Sequence, residues 1–77
     1  MYHRLIEEYL THYQPELLSE LTQQGTVADW ITEQAAAMTE ARAALLTRLA
    51  ASQPEISALQ RELEADQQVR ELFLPTG

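Results

Sequence analysis

Cysteine and lysine are absent from this sequence, and glycine occurs only at Gly25 and Gly77. Without a thiol there is no disulfide framework and no cysteine nucleophile or metal ligand. Two glycines so far apart cannot form a glycine-rich phosphate cradle. Serine is confined to Ser19, Ser52 and Ser57, none in the context of a nucleophile elbow. The only histidines, His3 and His12, lie nine residues apart and so on roughly opposite sides of a helix. Each has a carboxylate four residues away, Glu7 and Glu8 respectively, which reads as ordinary helix pairing. No third ligand stands at a spacing that would complete a metal site. The sequence therefore offers no catalytic constellation, no metal site and no cofactor motif, and an enzyme is not expected.

No apolar run approaches the ~20 residues that span a bilayer, and no basic segment followed by an apolar one reads as a signal peptide. A soluble, cytoplasmic protein is the expectation. Basic residues are scarce as well: five arginines face twelve acids, for a net charge of −7. The acid is spread over the chain, with −3 in residues 1–25, −1 in 26–51 and −3 in 52–77. No basic patch is available to neutralise phosphates, so direct binding to nucleic acid or to an anionic membrane is not expected. What remains plentiful is apolar material, 45 % of 77 residues against three prolines and two glycines. That balance marks one small ordered domain, residues 1–77, and not a disordered tail.

The apolar residues follow a helical period. Tyr2, Leu5, Ile6, Tyr9, Leu10 and Tyr13 form one stripe. Pro15 interrupts it, because proline has no N–H and pushes Gln14 out of the helical region. Leu17, Leu18 and Leu21 resume the stripe up to Gly25. Residues 15–24 read as a second short helix, with a single kinked helix as the alternative, since the phase is kept across the break. Thr26 then stands as an N-cap, with Asp29 three residues on in a variant capping box. A long helix follows over 27–51, with a core stripe of Val27, Ile31, Met38, Leu45 and Leu49, and with Gln34 and Ala41 on the same line. Ser52 and Glu55 offer another capping pair, which starts the last helix near Pro54. Its first apolar face is Ile56, Leu59 and Leu63. That line continues into Asp66, Gln67 and Arg70, while Val69, Leu72 and Phe73 lie on a rotated face shared with Ala58 and Ala65. Leu74 precedes Pro75, and the helix should stop there.

No strand pattern and no repeat accompany these helices. The predicted fold is all-α: a small three-helix bundle made of a Pro-kinked or broken N-terminal helical arm and an antiparallel helical hairpin, with segments at about 2–13, 15–24, 27–51 and 54–73.

The long helix contains eight alanines between Thr32 and Ser52. Ala35 and Ala41 border the core stripe, and Ala37 and Ala44 sit beside Trp30. Ala36, Ala43 and Ala50 stand apart: they are seven residues apart on the face opposite the core, beside Thr32, Thr39 and Thr47. Helix propensity alone explains alanine on a solvent-facing helix. A second packing face, where another helix lies close against methyl groups, is the functional explanation. The other partner-binding candidates are Tyr2, Tyr9 and Trp30, whose side chains combine a rigid apolar body with a polar tip, and Val69, Leu72 and Phe73 near the chain end.

The run YLTHYQPELLSELTQQG, residues 9–25, resembles the start of small helical proteins of transposons and conjugative elements, TnpV-like proteins among them. The resemblance rests on Tyr9-Leu10, Pro15, Leu17 and Leu21. Tyr13 stands where those proteins carry a histidine. It implies a mobile-element or phage origin and transfers no functional residues.

The expected function is a non-enzymatic acidic helical protein that binds a protein partner of unknown identity and forms a homodimer in the simplest case. The alternative is an inhibitor of nucleic-acid machinery, an anti-defence protein or nucleic-acid mimic, that blocks a basic site on a host protein.

Overall fold

Residues 2–76 are described by a computed structural model. They form four α-helices and, among the described residues, no strand: α1 His3–Tyr13, α2 Pro15–Gln24, α3 Val27–Ser52 and α4 Ala58–Phe73. The helix count is thus four, because the N-terminal arm is divided and not merely kinked.

The division follows from proline chemistry. Gln14, between α1 and α2, takes φ −135° and ψ 56°, outside the helical region. Its N–H still bonds the Leu10 carbonyl at 3.2 Å, and its own carbonyl accepts the Leu18 N–H at 3.0 Å. Pro15 occupies the first turn of α2, where a missing N–H costs nothing. The two short helices pack on each other.

Gly25 ends α2 at φ 70°, a left-handed conformation that glycine adopts without steric cost. Its N–H bonds the Thr22 carbonyl at 3.2 Å, and the Thr26 N–H bonds the Leu21 carbonyl at 3.0 Å. These are the paired bonds of a Schellman motif. Thr26 passes the chain into α3, and its carbonyl accepts the Trp30 N–H at 3.0 Å. The expected capping box does not form, however: Thr26 Oγ1 is buried with no hydrogen-bond partner. A buried unsatisfied hydroxyl is destabilising. Thr26→Val keeps the shape and removes that group, so it should raise stability by about 1 kcal/mol, or several degrees in Tm. A lower Tm in thermal unfolding would show that the hydroxyl caps α3 after all.

The connection between α3 and α4 also departs from expectation. Ser52 lies inside the last turn of α3, and its Oγ bonds back to the Arg48 carbonyl at 2.9 Å. The cap of α4 is instead Ser57, in an extended conformation, whose Oγ accepts the Gln60 N–H at 3.1 Å. The last helix therefore starts at Ala58, four residues later than Pro54, and residues 53–57 form a turn.

The chain divides into two units, 1–37 and 38–77, with α3 contributing to both. In the first, the buried apolar residues are Tyr2, Ile6, Leu10, Leu21, Ile31 and Ala35. In the second they are Met38, Leu49, Ala65, Val69 and Leu74. The α3 stripe is where its period places it at Ile31, Met38 and Leu49, while Leu45 is only half-buried. In α4 the buried line runs through Ala65 and Val69 of the rotated face, whereas Ala58 and Leu72 on that face are exposed and Phe73 is half-buried. Leu59 and Leu63, on the apolar face seen first in the sequence, are 65 % and 59 % exposed.

Candidate interaction surfaces

Two of the residues expected to meet a partner are used internally. Tyr2 is 2 % exposed and Val69 fully buried, so neither offers surface to another molecule in this fold. Each falls on the period of its helix's buried line, Tyr2 with Ile6 and Leu10, Val69 with Ala65, and apolar burial takes precedence over contact. Tyr9, Trp30 and Phe73 are half-buried, and Leu72 is 70 % exposed. Ala36, Ala43 and Ala50 are all exposed, as are Thr32, Thr39 and Thr47. The face opposite the buried line of α3 is therefore open along this seven-residue spacing. Thr47 does not interrupt it with a free hydroxyl, because its Oγ1 bonds the Ala43 carbonyl at 3.2 Å.

Tyr9 belongs to a small aromatic group at the junction of α1 and α2. Its ring stacks on Tyr13, with centroids 5.5 Å apart and planes at 24°. Gln14 Nε2 donates to the Tyr9 hydroxyl at 3.5 Å, a long bond. Tyr13 is 54 % exposed, so the stack presents one open aromatic face. The helical period alone includes Tyr13 in the stripe, yet the break at Gln14 leaves it outside.

Sequence reasoning missed Leu59 and Leu63 as surface residues. A signal was present: the line through Leu59 and Leu63 continues into Asp66 and Arg70, which a buried face would not tolerate without compensation. Those two side chains form an ion pair at 3.0 Å, still partly open to solvent.

The charged groups are solvated. All the acids except Glu64 and Asp66 are exposed. Glu8 pairs with Arg4 at 3.5 Å and not with His12, and so open a pair contributes little. Among the described residues, no three His, Asp or Glu side chains gather as metal ligands would. No helix among the described residues is long and apolar enough to cross a membrane. In comparison with known proteins, the chain matches no family model, no curated protein and no solved structure.

Proposed function

We propose that this chain is a non-enzymatic acidic protein that acts by laying exposed helical faces against a protein partner. The observation that carries this reading is the exposure of Tyr13, Leu59, Leu63 and Leu72, each more than half open to solvent in so small a chain. Of these, Leu59 and Leu63 are neighbours one turn apart on α4, and adjacent large apolar side chains left open to solvent are the ordinary mark of a binding face. The arrangement proposed for the helices is a small bundle made of an antiparallel hairpin of α3 and α4 and a broken arm of α1 and α2. The five-residue turn 53–57 between α3 and α4 suits such a hairpin. The setting is the cytoplasm, and the resemblance at residues 9–25 adds a mobile element or phage as the source.

The lane of Ala36, Ala43 and Ala50 supports a close helix–helix contact, most simply a two-fold dimer through α3. Methyl groups at seven-residue spacing let two backbones approach, and dispersion contacts accumulate along the line. Ala43→Glu tests it. On a solvated helix the change costs only a few tenths of a kcal/mol. In a packed contact it forces a charge into space shaped for a methyl, so light scattering should show the molecular mass halved, or a bound partner released. Unchanged mass and unchanged partner binding would remove the alanine lane from the account.

The exposure of nearly all the acids favours a second reading, an inhibitor of nucleic-acid machinery that occupies a basic site. Such a mimic would lose its partner steeply with salt, by roughly tenfold or more between low and physiological ionic strength. A face held by apolar contact would not.

A further inference from the structure

The geometry points to a docking site on α4, centred on Leu59 and Leu63, for a cationic amphipathic helix of a partner protein. It rests on the reading that the chain works by docking helical faces, and it names one face and the chemistry of its occupant.

The two leucines are four residues apart on one side of α4, and both are more than half exposed. Their side chains stand side by side at one turn's separation. The backbone beneath them is fixed. Ser57 caps the helix through the Gln60 N–H. Arg61 Nη1 donates to the Ile56 carbonyl at 3.0 Å and ties the turn to the first coil of α4. The face is thus held in place before any partner arrives, which limits the entropy lost on binding.

Charge selects the occupant. Residues 53–77 carry five acids, Glu55, Glu62, Glu64, Asp66 and Glu71, against two arginines, a net −3. Neither arginine is spent on Glu55 or Glu62: Arg61 reaches a backbone carbonyl, and Arg70 is held by Asp66 at 3.0 Å. Glu55 and Glu62 are exposed and make no ion pair among the described residues. A second copy would bring the unpaired carboxylates of Glu55 and Glu62 against their own counterparts around a small apolar centre. An anionic lipid surface or a nucleic acid would meet the same repulsion. A helix with leucine-type residues on one side and Lys or Arg flanking them satisfies both the apolar centre and the acidic border.

The probe is a fluorescein-labelled peptide of about five helical turns, with Leu on one face and Lys on the other, read by anisotropy. A scrambled peptide of the same composition is the control. The expected result is tighter binding of the amphipathic peptide than of the scrambled one. Leu59→Gln with Leu63→Gln should weaken that binding roughly tenfold, while Glu16→Gln with Glu20→Gln on α2 should change it less than about twofold. Equal loss from both pairs would show that binding is not localised on this face and overturn the site. So would loss of helix by circular dichroism in the leucine variant, which would place those residues in the core. A wild-type dimer that the leucine variant dissociates would assign the face to a second copy instead. If the leucines have no effect but Ala43→Glu changes the mass, the α4 site falls and the docking reading stands; if neither changes anything, both fall.

Discussion

Met38→Ala should lower Tm by about 10 °C or more. Met38 is fully buried within α3. Truncating such a side chain removes its transfer free energy and leaves a cavity, for a cost of about 2–5 kcal/mol. At about 0.05–0.15 kcal/mol per residue, a chain of 77 residues holds only roughly 4–12 kcal/mol in all. The same change at Leu45, half-buried on the same helix, should cost distinctly less. Thermal unfolding of both variants, followed at 222 nm, checks the order. An equal or larger loss at Leu45 would move the buried line of α3.

A second large effect separates two positions three residues apart at the end of α4. Val69→Asp places a carboxylate where no solvent reaches, and it should unfold much of the protein at room temperature. Leu72→Asp, three residues on and 70 % exposed, should cost about 1 kcal/mol or less. Both positions lie near the negative end of the helix dipole, so that penalty is common to the pair and the difference reports burial. Circular dichroism of the two variants gives the answer directly. A folded Val69→Asp protein would overturn the rotated face as the buried one.

The contrast within α4 shows what the sequence could and could not disclose. Boundaries set by covalent constraint were legible. Pro15 and Gly25 bracket α2, and residues 15–24 are the helix the structure contains. The buried line of α3 was legible too, because Ile31, Met38 and Leu49 are large and regularly spaced. The start of α4 was not. Ser52 with Glu55 and Ser57 with Gln60 are both serine followed three residues later by an acid or amide, and local chemistry does not choose between them. The choice is made by α3, which continues through Ser52 and takes its hydroxyl back to Arg48. The face of α4 was misjudged for a different reason. Leucine weighs more than alanine in any apolar pattern, so Leu59 and Leu63 outrank Ala65. Close packing favours the smaller residue wherever backbones approach, and Ala65 is fully buried. Among the candidate contact residues, the alanines of α3 fell on an exposed face as expected, while the period that includes Tyr2 and Val69 placed both in the interior.

The central claim is that exposed helical faces carry the function. Affinity capture from the cells that encode this chain tests it most directly, with the wild type run beside Ala43→Glu and beside Leu59→Gln with Leu63→Gln. The account predicts a protein retained on the wild type in near-stoichiometric amount and lost from at least one of the two folded variants. A partner retained equally by all three, or none retained by the wild type above the level of an unrelated acidic protein, would contradict it.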